Sequence, residues 1–551
     1  MKKKMLGLYV CMLLITTAVP AVGAVQNDLK HTTIQKTFLA SLIAEWTQQQ
    51  KLLTSDGTFG DCFGYSVSLD GDTALIGAFG DNADADLVGS AYIFTRTGTT
   101  WTQQAKLIPT AGGYYDYFGY AVSLDGDTAL IGAPGSSFNP IYPGAAYVFI
   151  RTGTTWTQQA KLVASDGQDE DYFGNSVSLD GDTAIIGSEY FTSTPGSVYV
   201  FIRSGTTWNQ QTKLVPSDGI NGEMFGISVS LKSNTALIGA IFDDDNGPGS
   251  GSAYVYTRTG TTWTQQTKLL ASDGATLDQF GVSVALSGDN ALIGAEWDSD
   301  NGDESGSAYV FTRTGTTWSQ QAKLLPSDGT AEDRFGHTVS FSGDTALIGA
   351  NQDDDPVDYA GSAYIFTRTG TTWTQQVKLL ASDYMYGRLF GESVSLDGDT
   401  ALIGAYGDNE SGPGAGATYV FIKESINYPP NPPTITGPAE GKPGTVYEYN
   451  FSTTDPEGDQ MYYFIDWGDG TNSSWIGPYA SGFETTKVHT WSKKGTYTIK
   501  AKAKDTYGNE GTWASLTVIM PCSLDLPIVH FWMKIFERFP YTFLILRYLL
   551  G

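Results

Sequence analysis

Phe-Gly returns seven times in register with a tryptophan, and no other feature constrains this chain as strongly. The phenylalanines stand at 63, 118, 173, 225, 280, 335 and 390, the tryptophans at 46, 101, 156, 208, 263, 318 and 373. Both series advance by 55, 55, 52, 55, 55 and 55 residues, so one unit is copied in fixed register. Each unit predicts four strands. In FGYSVSL the apolar Phe63, Val67 and Leu69 alternate with the small Gly64, Ser66 and Ser68, which suits close sheet stacking. Asp70-Gly71-Asp72 turns the chain, and TALIGA is apolar enough to be buried on both faces. SAYIFTR then leads through Thr97-Gly98-Thr99-Thr100 into WTQQAKL. There Trp101, Gln103, Ala105 and Leu107 alternate with Thr102, Gln104 and Lys106, which predicts one wet face.

Four antiparallel strands per unit predict an all-β fold, a seven-bladed β-propeller. The ends of the array predict how it closes. AEWTQQQKLL at the start is only a fourth strand, while the last copy, Phe390 to Lys423, has only the first three. The N-terminal strand is therefore expected to complete the last blade and remove the open edge.

Outside the array, MKKKMLGLYVCMLLITTAVPAVGA reads as a secretory signal over 1–24, followed by a leader over 25–44 and the propeller over 45–423. Beyond the signal only Cys62 and Cys522 remain, so no disulfide framework is expected. A Pro-rich linker over 424–433 contains Tyr428-Pro-Pro-Asn-Pro-Pro433. Strand-like runs over 434–520 predict a small β-sandwich. The apolar tail, 521–551, is interrupted by Pro527, Lys534, Glu537, Arg538, Pro540 and Arg547 and is no spanning helix, so membrane association is expected only through this tail. Sequons at Asn409, Asn450 and Asn472 allow glycosylation.

The pairing of Phe63-Gly64 with Gly77-Ala78 resembles the FG-GAP repeat of integrin α-subunit propellers, and GSAYIFTRTGTTWTQQAKL resembles the microbial, exported branch of that family. The resemblance covers about residues 45–423 and implies an extracellular recognition scaffold. Asp455-Pro-Glu-Gly-Asp459, Trp467-Gly-Asp-Gly-Thr471 and His489…Gly495-Thr-Tyr497 resemble the PKD domain, an immunoglobulin-like module. This implies spacing, adhesion or glycan contact outside the cell, with the GDG as a turn and His489 structural. Integrin-type repeats carry a DxDxDG calcium loop between the FG and GA strands. Here that connection has shrunk to Asp70-Gly71-Asp72, or Lys232-Ser233-Asn234, too few ligands for an ion that wants about six to eight oxygens.

Acidic loops lie one connection later. Asp81, Asp243, Asp298, Asp353 and Asp408 each stand three residues after the Ala of their copy, with Asp84, Asp86, Asp245, Asp300 and Asp355 beside them. Hard oxygen ligands among glycines fit calcium; Asp, Asn and Gly equally fit solvated turns. Both readings stand at this point, with calcium the only cofactor considered. Antiparallel strands bring these loops to one rim with the four-to-one loops, and together they hold 33 of the chain's 59 acids. That rim suits a cation, a basic partner or a metal-bridged glycan, and the acidic balance excludes nucleic acid. Tyr114, Tyr115, Tyr142 and Tyr190 on the same side are candidates for gripping sugar rings. On the opposite face Arg96, Arg151, Arg203, Arg258, Arg313 and Arg368 are expected to neutralise the turn carboxylates.

No nucleophile–base pair, phosphate loop or His/Cys metal set appears, and no catalytic residue is assigned. The expectation is a monomeric propeller, secreted or retained at the cell surface, that binds an extracellular glycan or cell-surface protein without catalysis. The alternatives are a glycan-acting enzyme, which would need one inward carboxylate pair about 5–9 Å apart, and a structural envelope component.

Overall fold

The computed structural model describes residues 46–82, 87–110, 113, 115–135, 143–189, 195–424 and 427–521, with Lys534, Glu537 and Arg538. The signal, the leader and nearly all of the tail lie outside these residues. Contacts gather Ala44–Glu424 into one compact unit, separate from the residues that follow it.

Seven four-stranded antiparallel sheets make up the first unit, as the repeat predicts. Six use consecutive strands. In the seventh, Trp46–Leu52 pairs antiparallel with Ala417–Lys423, from Trp46 opposite Lys423 to Leu52 opposite Thr418. The ring is closed by its N-terminal strand.

The glycines of the repeated motif explain how tightly the blades approach. A Cβ on Gly77 would lie 1.9 Å from the carbonyl oxygen of Gly119 in the next blade, and one on Gly404 would lie 1.8 Å from that of Gly64. The Gly of each GA strand thus packs on the Gly of the following FG, all the way round the ring. No side chain fits at that contact. The serines of the small face tie the blades further: Ser66 Oγ donates to Gly119 O at 2.9 Å, and the Leu124 amide donates to Ser68 Oγ at 3.0 Å. Each blade also packs an apolar layer on its neighbour, Leu402 and Val420 of the last blade joining Phe63, Ile76 and Tyr92 of the first. Phe63 lies edge-on to Tyr92, their centroids 5.5 Å apart, and both are fully buried.

The fourth strand departs from simple alternation. A β-bulge at Gln104 places Gln103 opposite Phe94 but Ala105 opposite Ile93. The extra residue rotates the strand, so Lys106, opposite Tyr92, moves to the face of Trp101 instead of facing water. Gln104 accepts the indole N–H of Trp156 in the next blade at 3.0 Å. The expected wet stripe is therefore a zipper between blades. On the opposite face five of the six expected arginine pairs form: Arg96 Nε lies 2.6 Å from Asp72 Oδ1, with the guanidinium 5.2 Å from the Trp101 ring centre. Arg258 instead donates to Asn234 Oδ1 at 2.9 Å, because the turn of that copy, Lys232-Ser233-Asn234, carries no acid.

The second unit is a sandwich of a three-stranded sheet (Thr434–Thr436, Tyr447–Ser452, Thr485–His489) and a four-stranded one (Asn472–Tyr479, Met461–Asp466, Gly495–Asp505, Ala514–Met520). Tyr449, Tyr463, Trp467, Trp491 and Val518 fill its core. His489 stacks on Trp467 at 4.5 Å and 5°, while its Nε2 lies 2.8 Å from Asp469 Oδ2 of the GDG turn. Its partners are those of a structural histidine.

Candidate functional site

The acidic loops are built around lysines. Asp81, Asp243, Asp298, Asp353 and Asp408 are all buried, and each accepts the hydroxyl of a strand-three tyrosine: Tyr92, Tyr254, Tyr309, Tyr364 and Tyr419. A bulge-rotated lysine reaches each from the fourth strand. Lys323 Nζ lies 2.8 Å from Asp298, 2.7 Å from Asp300 and 2.9 Å from Asp273. Lys268 meets Asp243, Asp245 and Asp218 in the same way, and Lys378 meets Asp353, Asp355 and Asp328. In the closing blade Lys51 of the N-terminal strand reaches Asp383, Asp408 and Glu410. The Asp-x-Asp spacing has its own reason, because Asp298 Oδ1 accepts the Asp300 amide at 3.1 Å and so turns the loop.

Electrostatics follow that geometry. Burial works to raise Asp81, but the Lys106 ammonium with Ser90 and Tyr92 brings it below the usual carboxylate range. Asp383, opposed by burial in the same way, is brought down to about 2 by Lys51, Arg388 and Tyr419. Among the described residues, three carboxylate oxygens come within 4.8 Å of one another at Asp455, Glu457 and Asp459 of the sandwich, and in no propeller loop. Asp84 and Asp86 lie outside the described residues, as do Tyr114, Tyr142 and Tyr190. Tyr115 is half-buried, with a left-handed backbone at φ 63. Asn409 and Asn472 are exposed, and Asn450 is half-buried.

A second constellation sits on the ring axis, away from the acidic loops. Two positions in each copy point to the channel mouth on the acidic side: the residue after Phe-Gly and the residue after the Gly-Ala pair (Gly-Ser in the third copy). Around the ring the first is Tyr65, Tyr120, Asn175, Ile227, Val282, His337 and Glu392; the second is Phe79, Pro134, Glu189, Ile241, Glu296, Asn351 and Tyr406. The frame repeats while these positions differ. Below them the channel of about 380 Å³ is lined by one valine per blade, Val67 through Val394.

The mouth is divided into arcs. Tyr65 packs on Phe79, Tyr120 and Tyr406 at 4.6, 5.0 and 5.6 Å, an aromatic wall from blades seven, one and two. Beside it, from blades five, six and seven, runs a polar chain. His337 Nδ1 is 2.7 Å from Glu296 Oε2 and its Nε2 is 3.5 Å from Glu392 Oε2, to which Asn351 Nδ2 also donates at 2.8 Å. Burial opposes charge on His337, but Glu296 and Glu392 outweigh it and raise the imidazole to about 10. Glu296, which burial works to raise, is held below the usual carboxylate range by His337 and Arg334. In blade three burial pushes Glu189 up to about 8, with Asn175 partly offsetting it. Glu189 Oε2, Asn175 Oδ1 and Asn351 Oδ1 are buried without a hydrogen-bond partner.

These shifts give stability a definite pH dependence. Glu189 and His337 both have folded values above their ordinary 4.5 and 6.5, so folding favours their protonated forms. Their contribution is present at low pH and is lost from about pH 4.5 to 8 for Glu189 and from 6.5 to 10 for His337. Thermal unfolding across this range is expected to show a falling Tm. Glu189→Gln removes the lower part of the slope and His337→Gln the upper part. A His337 imidazole resonance that titrates near its ordinary value contradicts the paired geometry.

The sequence comparisons agree with this architecture. The FG-GAP repeat model matches residues 46–94, 101–149, 156–201, 208–256, 263–311, 318–366 and 373–421, and the PKD domain model matches 427–520. The chain belongs to the FG-GAP repeat family and carries a PKD domain after the repeats. Both modules are typical of extracellular, adhesion-type proteins. Among solved structures, the PKD domain of an M14-like peptidase from Thermoplasmatales archaeon SCGC AB-540-F20 is 57% identical; the match covers 17% of this chain and 98% of that one, with a TM-score of 0.17. No curated protein matches the chain. Among the described residues no helix is long and apolar enough to cross a membrane.

Proposed function

We propose that the chain is an exported, non-catalytic recognition and adhesion protein whose propeller meets its ligand at the axial mouth. The observation that carries this reading is the asymmetry of that mouth. In a ring whose strands agree closely from copy to copy, an aromatic arc, a Glu–His–Glu chain and a buried carboxyl occupy equivalent positions in different blades. Structural constraint alone asks for sevenfold sameness there. The Pro-rich segment and PKD module then act as a spacer, and residues 1–24 as the export signal.

In the acidic loops the lysine ammonium takes the place that a calcium ion would hold, so these loops serve stability. The carboxyls at the axis favour a second reading, a glycan-acting enzyme. Against it, His337 engages both Glu296 and Glu392. The test is a printed array of glycans and extracellular proteins probed with the purified full-length chain, with released sugar products measured in parallel. Specific retention without product release is expected. Product release establishes the enzyme, and absence of retention on every printed surface removes the recognition reading.

A further inference from the structure

Three acceptors at the axial mouth lack donors. Asn175 and Asn351 are 7% and 5% exposed, and their Oδ1 atoms together with Glu189 Oε2 are buried without partners. Glu189 and Asn175 line the axial cavity, so their two unpaired acceptors mark a place beside it where a donor is wanted. Asn175 Nδ2 is already committed to the Gly226 carbonyl at 3.3 Å and Asn351 Nδ2 to Glu392, which fixes both amides with oxygen presented. Water alone can satisfy acceptors, but it does not call for the other half of the mouth. There Tyr65, Tyr120, Phe79 and Tyr406 form one aromatic wall, with Tyr65 and Tyr120 lining the cavity itself.

We propose that the axial mouth binds a single neutral pyranose ring, its C–H face against the Tyr65–Tyr120 wall and its hydroxyls donating to Glu189 and Asn175. This names the ligand class of the site and rests on the recognition reading above. Size fits, since about 380 Å³ takes one sugar residue. Charge argues against an ammonium or guanidinium ligand. Glu296 and Glu392 already face His337, and Glu189 is held in its protonated form by burial. Both charged carboxylates thus already share the His337 imidazolium, a contact that a ligand cation would have to displace. A neutral polyol needs only hydrogen bonds and an apolar face.

Saturation-transfer NMR on the full-length chain with the methyl glycosides of glucose, galactose, mannose and N-acetylglucosamine tests this, with lysine and arginine methyl esters as cationic probes. At least one glycoside is expected to bind, with saturation strongest on its ring C–H protons. Tyr65→Ala and Glu189→Ala are each expected to weaken it tenfold or more. Glu189→Gln, which keeps a neutral hydrogen-bonding group and the packing, is expected to stay within threefold. Unchanged Tm values show that the variants fold. The proposal is overturned if only the methyl esters bind, if glycoside binding ignores Tyr65→Ala, or if Glu189→Gln abolishes it as fully as Glu189→Ala. Failure of every glycoside while the chain is still retained on array proteins removes the sugar but leaves recognition standing. Failure of both removes the recognition reading as well.

Discussion

A chain without Trp46–Leu52 is expected to lose its ring as a stable, monomeric fold. That strand supplies the fourth member of the last blade and buries Trp46 and Leu52, which are 8% and 1% exposed. Burial of two such side chains contributes about 1.5–3 kcal/mol each, and six cross-strand pairs are lost with them. The total, about 5 kcal/mol or more, is comparable with the whole stability of many domains. The strand also delivers Lys51 to Asp383, Asp408 and Glu410. Its removal bares the edge of Ala417–Lys423, which templates pairing between molecules. Light scattering with thermal unfolding is expected to show aggregation and a collapsed or absent transition. A synthetic peptide spanning residues 45–53, added in excess, is expected to restore monomer by strand addition. A deleted chain that stays monomeric with an unchanged Tm contradicts the closure.

Lys323→Met is expected to be the most damaging single substitution in the acidic loops. It leaves Asp298, only 3% exposed, without its countercharge, while Tyr309 and the Asp300 amide still hold it in place. Removing one partner of a buried pair costs about 3–5 kcal/mol. Lys323→Met combined with Asp298→Asn is expected to recover most of that loss, because the uncompensated charge goes with it. The single variant is also expected to gain a Tm increase with calcium that the unaltered chain lacks, since Asp273, Asp298 and Asp300 then face an empty cation position. Calorimetry with calcium and with chelator checks both statements. A variant as stable as the parent shows that the lysine cage contributes nothing.

Much of the fold was legible because the repeat states it many times. The offset between the first WTQQ and the last FG copy predicts the closing strand, and TALIGA predicts a strand buried on both faces; both are found. The arginine pairs were equally readable, because Arg96 and Asp72 flank one blade on the same face. The lysine cages were not. Strict alternation sends Lys106 to water, and only the bulge at Gln104, which no residue type announces, turns it onto Asp81. The acidic loops therefore resembled either metal loops or solvated turns, when the cation they hold is a side chain of the adjoining strand.

The axial mouth was hidden for a different reason. His337 stands out in the sequence as the one histidine of the repeats, but its partners Glu296 and Glu392 lie 41 and 55 residues away, in the flanking blades. A signal did exist. The residue after Phe-Gly and the residue after each Gly-Ala vary from copy to copy while the Phe-Gly and Gly-Ala before them are kept, Gly-Ser in the third copy apart, and in a closed ring both sets meet at the axis.

Array binding by three proteins compares these locations directly: the unaltered chain, an axis variant (Tyr65→Ala with Glu189→Ala) and a rim variant (Asp245→Asn, Asp300→Asn and Asp355→Asn). The rim carboxylates are exposed, and loss of such surface pairs costs little. The rim variant is expected to reproduce the parent's binding pattern while the axis variant loses it. Loss of binding in the rim variant with full retention in the axis variant contradicts recognition at the axis.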